Sequence, residues 1–329
     1  MGTRLVRFTT EQTSAERWGV LVGEQVFALS LEADHHRDVM AAYYSDRTRF
    51  DASISTEGID AASVEFESPL SREIQLLAQG LNYASHRAEG GYKGETEEEA
   101  AAEENLLFMK ASSSISKPNE TILRPSGCRL LDYEIELGIV LKREVRAGVR
   151  VTDDNLSEYV GGLILCNDVS ARDLMFGAPA MQWYRGKSHR TFCPSGPVLF
   201  LPDAEDFSQL YNLQLKLHLN GKLMQDAVTS QLIHKPPKTI TELSELNDMN
   251  AGDCILTGTP GGVLVELTPK SALAIVFNMR NNKKRREKFT KAQLSQSDFL
   301  KPGDVLDLEI RSSDGSIDLG RQHNEIAEA

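Results

Sequence analysis

The chain has 329 residues and a formal charge of −12, a length that accommodates one large domain or a large and a small one. So acidic a chain is not a general nucleic-acid binder, which needs a basic surface, although a local basic pocket remains compatible with it. No stretch is long and apolar enough to span a membrane.

At the N-terminus, M-G-T-R-L-V-R-F shows neither the apolar core nor the cleavage site of a secretory signal. Val6 stands where a myristoylation motif requires Ser or Thr. Residues 3–30 alternate polar and apolar, and W-G-V-L-V-G-E-Q-V-F-A-L predicts a β-hairpin turning at Gly23-Glu24. A helix is expected from Asp34 to about Phe50, with Val39, Met40, Tyr43 and Tyr44 on one face. Ser68-Pro69-Leu70 closes a small N-terminal domain, residues 1–70. Ile74 to Gly80 is a short apolar strand, followed by L-N-Y-A-S-H-R-A-E-G-G. His86 and Glu89 lie one helical turn apart, so their side chains can meet; a surface ion pair is the plain reading of that spacing. After Gly90-Gly91, residues 90–105 favour helix but carry almost no apolar stripe. A solvated, mobile helix is expected there, either a lid over bound substrate or a passive insertion.

Leu131 to Leu141, L-D-Y-E-I-E-L-G-I-V-L, predicts a strand with Ile135, Leu137, Ile139 and Leu141 on one face. Glu134 and Glu136 fall on the other, and adjacent carboxylates repel unless a cation sits between them. Alone, E-x-E reads as a solvated strand face. A second segment changes that: the apolar run Leu163 to Cys166 ends in Asn167-Asp168, supplying a third hard oxygen ligand. Three carboxylates suit Mg²⁺ or Mn²⁺ rather than zinc. Arg172 would either fork onto a substrate carboxylate or pair with Asp173 or another acid. Leu213 to Leu219 alternates toward Asn220-Gly221, a hairpin signal. After the short strand Asp253 to Leu256 comes T-G-T-P-G-G-V, whose Gly258, Gly261 and Gly262 let amides approach an anion, while Thr259 could hydrogen-bond a carboxylate. No G-K-[ST] follows, so this is not a P-loop. Beyond it, S-A-L-A-I-V-F predicts an extra strand, and the basic run at 280–288 a solvated loop, with an anionic partner as the alternative. The four cysteines, Cys128, Cys166, Cys193 and Cys254, form no C-x-x-C pair, so buried free thiols and a cytoplasmic location are expected.

Four motifs in series, D-Y-E-I-E-L, N-D-V-S-A-R-D-L, Lys187 followed by T-F-C-P-S-G-P, and T-G-T-P-G-G-V, resemble the fumarylacetoacetate hydrolase family. The likeness covers roughly residues 70–329, apart from insertions near 90–105 and 264–299. It implies a mainly β (α+β) fold: a mixed β-sandwich or roll over residues 71–329 with flanking helices, preceded by the small domain, and usually a homodimer. It also implies a helix near Lys238 to Leu246 and a last strand at G-R-Q-H-N-E-I. The implied activity is metal-dependent hydrolysis of a carbon–carbon bond in an acylpyruvate-like β-diketo acid, releasing pyruvate or a related 2-oxo acid. Glu134, Glu136 and Asp168 would hold Mg²⁺, with Mn²⁺ as the alternative; His86, oriented by Glu89, would take a proton from water. Lys187 would balance enolate charge, and Arg172, Gln182, Thr259 and Gly258 would bind substrate. Met175 departs from the pattern, because many relatives have glutamine there and methionine cannot donate to an oxyanion. Decarboxylation, isomerisation or hydration on the same site, or a non-catalytic metal-binding scaffold, are the alternative readings. Neither nucleic acid nor membrane is an expected partner.

Overall fold

In the computed structural model, which describes residues 2–177, 181–278 and 280–329, the strand Ile135–Leu141 is buried along its whole length. It runs antiparallel to Val160–Asn167 on one side and to Cys254–Leu256 on the other. Both faces are therefore inside. Ile135, Leu137, Ile139 and Leu141 enter one core cluster, together with Leu213, Leu215, Leu217, Leu308 and Ile310 of a second sheet. Val140 points the other way, into a cluster with Val39, Met40 and Tyr43. The solvated-face reading of E-x-E is thus overturned: no face of this strand reaches water.

Among the described residues the larger sheet has twelve strands. Its main path runs Ile54–Asp60, Gln25–Leu29, Thr13–Val22, Thr3–Thr10, Cys193–Leu201, Val160–Asn167, Ile135–Leu141, Cys254–Leu256, Leu76–Gly80, Leu106–Lys110. The second sheet has five, ordered Lys222–Val228, Leu213–Leu219, Val305–Ser312, Asp318–Glu328, Ile122–Arg124. Asn220 and Gly221 turn its hairpin with positive φ at both positions, as an Asn-Gly pair permits. The fold is mixed α+β and mostly sheet. No helix among the described residues is long and apolar enough to cross a membrane.

The first strand joins the main sheet by pairing Thr3–Val6 with Leu201–Val198. The predicted helix after Asp34 is two helices, because Asp46 leaves helical geometry and caps the second through the Arg49 amide. His36 opens the first. Its Nδ1 accepts from the Ser71 amide at 3.0 Å and its Nε2 lies 2.9 Å from the Gly252 carbonyl oxygen. Both nitrogens are engaged by the neutral ring, and a second ring proton would break the Ser71 bond. Burial, reinforced by His35 and Arg37, lowers its pKa from 6.5 to about 4. The unfolded chain therefore binds the proton first, and stability falls as pH drops through the window between those values. A loss of about 2 kcal/mol by pH 5 is expected from this group. Urea unfolding at pH 7 and pH 5 should show that loss shrinking in His36→Gln relative to wild type.

Two sequence expectations fail beyond Gly262. S-A-L-A-I-V-F is no strand: all but its last residue, the C-cap Phe277, lies in the helix Pro269–Val276, started by Thr268 in a capping box with Ser271 and by Pro269 in the first turn. The basic run is no solvated loop either. It forms most of the helix Asn282–Gln293, with Arg285 and Phe289 buried. Arg285 donates to the Gly177 carbonyl at 3.2 Å, and Arg286 reaches Asp173 at 3.0 Å. The acidic insertion contains the short helix Glu97–Ala102, capped by Thr96. It is tethered: Arg87 bridges Glu95 and Glu103, and Lys238 donates to the Ala101 carbonyl.

Candidate active site

The site forms where the two central strands end. Residue 134 lies just outside the ladder, and its amide donates to the Asn167 side chain at 3.0 Å. The Asp168 amide donates back to the Glu134 carbonyl at 2.8 Å. These bonds bring Asp168 beside Glu134, while Glu136 projects from the strand that Glu134 leads into. One oxygen from each of the three lies within 4.8 Å of the others. All three side chains are buried.

Burying carboxylates is costly unless they are paired. Lys187 Nζ reaches Glu134 at 2.8 Å, Asp168 at 2.5 Å and the Ser170 hydroxyl at 2.8 Å. Lys110 takes the other oxygen of Asp168. Arg172 bridges Asp132 at 2.8 Å and Glu134 at 2.5 Å. Three cations thus meet four carboxylates, and the shortfall falls on Glu136. One of its oxygens accepts from the Gly258 amide at 2.8 Å; the other, Oε1, has no partner. Burial, then Asp168 and Glu134, push its pKa well above the ordinary carboxylate range. Burial opposes ionisation of Glu134 too, but Lys187 and Arg172 outweigh it and hold that group low. Burial likewise opposes the charge on Lys187, yet Asp168 and Glu134 keep it protonated. An orphaned buried oxygen in an all-oxygen set, one positive charge short, fits a hard divalent cation.

The helix Ala84–Glu89 sets the second half. His86 Nδ1 lies 3.0 Å from Glu89 Oε2. The other Glu89 oxygen accepts from the Gly262 amide at 2.7 Å, and the Gly261 amide donates to Ser85. A carboxylate on Nδ1 assigns the ring proton there and leaves the Nε2 lone pair free. His86, Glu89, Glu134, Arg172 and Lys187 line one cavity of about 140 Å³, whose remaining wall includes Phe108, Met175 and Trp183.

A sequence pattern for the C-terminal domain of fumarylacetoacetate (FAA) hydrolase matches residues 75–327, which contain the triad and the dyad. The chain belongs to the fumarylacetoacetate hydrolase family. Similar members include the mitochondrial oxaloacetate tautomerase FAHD2B of Bos taurus, 34% identical over 208 residues, or 63% of this chain. That match spans 62% of the bovine protein's length. A 2,4-didehydro-3-deoxy-L-rhamnonate hydrolase of Sphingomonas sp. (strain SKA58) is 31% identical over 285 residues, 84% of each chain. Among solved structures, the fumarylacetoacetate hydrolase from psychrophilic Exiguobacterium antarcticum superposes with a TM-score of 0.74. It is 27% identical, and the match covers 99% of this chain and 100% of that one. The family's relatives are enzymes, and the family is metal-dependent.

Against this family frame, the residues expected at the site divide. Glu134, Glu136, Asp168, His86, Glu89 and Lys187 converge. Gly258 is present, but its amide is spent on Glu136 rather than left for substrate. Thr259 lines the cavity with its hydroxyl committed, donating to Ile135 O and accepting from Gln225. Arg172 pairs with Asp132 and Glu134, and not with Asp173. Gln182 is exposed and lines a separate groove with Arg185 and Arg286. Met175 does line the cavity and offers no donor there. Sequence reading missed the structural roles of Asp132 and Lys110. Asp132 accepts from the Leu264 and Val265 amides as well as from Arg172. The available signals were a third acid in D-Y-E-I-E and a lysine ending the strand Leu106–Lys110.

Proposed function

We propose that this family member is a hydrolase that cleaves a carbon–carbon bond in an acylpyruvate-like β-diketo acid and releases pyruvate or a related 2-oxo acid. The observation that carries the reading is the opening of the His86–Glu89 dyad onto the same cavity as Glu134 and Lys187. Glu134, Glu136 and Asp168 would hold a Mg²⁺-type ion, which when bound supplies Lewis-acid polarisation of the substrate's 2-oxo and carboxylate oxygens. Glu89 fixes the proton on Nδ1 of His86, so Nε2 accepts one from water. The hydroxide attacks the distal carbonyl, and the bond between that carbon and C3 breaks as the tetrahedral adduct collapses. The electron pair goes to the pyruvate enolate, whose charge meets the protonated Lys187. The enolate then takes a proton at C3, and the acyl part leaves as an acid.

Met175 favours a second reading. Tautomerisation or decarboxylation of a 2-oxo acid uses the enolate half of the site without a tetrahedral oxyanion, and so does not require the donor that methionine lacks. Proton NMR of acylpyruvates and oxaloacetate incubated with protein and Mg²⁺ separates the two. Hydrolysis predicts pyruvate plus one equivalent of a second acid. Deuterium exchange at C3, or loss of CO₂, without acyl cleavage would transfer the assignment to the second reading. No change in any 2-oxo acid would overturn both.

A further inference from the structure

The cavity is two-sided in its chemistry. One end holds the charged groups described above. The rest of the wall is mostly apolar, including Leu106, Phe108, Met175, Phe176, Trp183 and Leu267, with Gln79, Tyr92 and Thr259 as its polar members. The rings of Phe108 and Trp183 lie 5.0 Å apart and tilted by 30°, an aromatic pair within that wall. Lys187 Nζ sits 5.2 Å from the Phe108 ring, where the charged end gives way to the apolar end.

Building on the proposed reaction, we infer that the substrate bears a single carboxylate, bound at the charged end, and an uncharged aryl or bulky alkyl acyl group. Three observations converge on this. First, Arg172 and Lys187 are the only Arg or Lys side chains among the described cavity-lining residues, and both already face carboxylates. A distal carboxylate would lie against rings and thioethers with no counter-charge, losing its hydration without compensation. Second, the two cations that adjoin lining residues His86 and Tyr92 in sequence are engaged. Arg87 is held by Glu95 and Glu103 beneath the Tyr92 ring, and Lys93 pairs with Glu266. Residues 178–180 are Ala-Pro-Ala in sequence and supply no charge. Third, the charge count disfavours a second anionic group. Asp132, Glu134, Glu136, Asp168 and Glu89 face Lys110, Arg172 and Lys187, so a bound divalent ion brings the site to balance, and every substrate carboxylate beyond the one on the ion adds uncompensated negative charge. Selection by an uncompensated charge acts against dicarboxylates such as oxaloacetate, the substrate named for the bovine relative.

Direct binding tests this without turnover. The Mg²⁺-loaded protein is titrated calorimetrically with phenylpyruvate and with 2-oxoglutarate, which share the 2-oxo acid head and differ in the tail. Quenching of Trp183, one of two tryptophans, reports cavity occupancy. Phenylpyruvate should bind at least about tenfold more tightly, the usual margin for leaving a buried charge unpaired being larger still. Trp183→Arg, at a half-buried position, should reverse the order by giving the distal carboxylate a partner. Equal or tighter binding of 2-oxoglutarate by wild type, or no binding of either, would overturn the inference. Phenylpyruvate preference without any catalysis would sink the proposed reaction alone; catalysis with dicarboxylate preference would sink only this one.

Discussion

Glu136→Gln should lower metal-dependent turnover by about three orders of magnitude, on the scale of the several kcal/mol a Lewis acid contributes to such chemistry. The substitution keeps size and the bond from the Gly258 amide, since the glutamine carbonyl can accept it. What it removes is the negative charge on the one carboxylate of this four-acid cluster with an unpaired oxygen and no cation of its own. Isothermal titration should show Mg²⁺ affinity falling at least about a hundredfold, beyond what loss of an outer-shell partner does. A second signature separates a ligand from a merely structural acid. Without metal, wild type must bury Glu136 among Asp168 and Glu134, an arrangement that its raised pKa reports as unfavourable for the charge. The glutamine variant relieves that repulsion, so in chelator its melting temperature should equal or exceed that of wild type, while added Mg²⁺ should stabilise only wild type. Wild-type rates and affinity in the variant would remove the proposed ligand set.

His86→Ala should reduce kcat by roughly 10²–10⁴, the contribution of a positioned general base, with Mg²⁺ affinity unchanged. The imidazole itself bonds to Glu89 and to none of the three acids, so its loss leaves every carboxylate partner in place. Added imidazole should restore part of the rate in this variant. Glu89→Gln is the informative companion. It can still accept from the Gly262 amide, but it holds the Nδ1 proton less strongly and can present its amide to the ring instead. A smaller fall in kcat, without imidazole rescue, is expected. If His86→Ala retains full activity, water activation belongs elsewhere in the cavity.

Much of the architecture was readable because local pattern and burial agree. The alternation in 135–141, the apolar run before Asp168 and the Asn220-Gly221 turn each specify their element without help from distant residues. S-A-L-A-I-V-F failed because seven residues of apolar sequence fit strand or helix equally; the deciding signal, Thr268-Pro269, stands just upstream. The three acids were legible by residue type and spacing, whereas His86 with Glu89 read as a surface pair until the family resemblance placed it at the site. The counter-charges of the acids were not legible. Lys110 and Lys187 reach Asp168 across 58 and 19 positions, and nothing local distinguishes them from solvated lysines. For Gly258 and Gln182 the surroundings were hidden too. Proximity in sequence to a motif does not reveal whether an amide is already taken or on which side of a helix a side chain emerges.

The loop following Leu256 has a mechanical role. Gly258 grips the carboxylate at the strand end and Gly262 grips the carboxylate on the helix, four residues apart on one short tether. Both glycines have positive φ; a methyl at 258 would lie 2.8 Å from Asn82 Cβ, and one at 262 only 2.0 Å from the Met224 carbonyl oxygen. The tether therefore works as a ruler whose length admits no added side chain. Through it one backbone segment holds the carboxylates of both Glu136 and Glu89, at a spacing the two amide bonds fix.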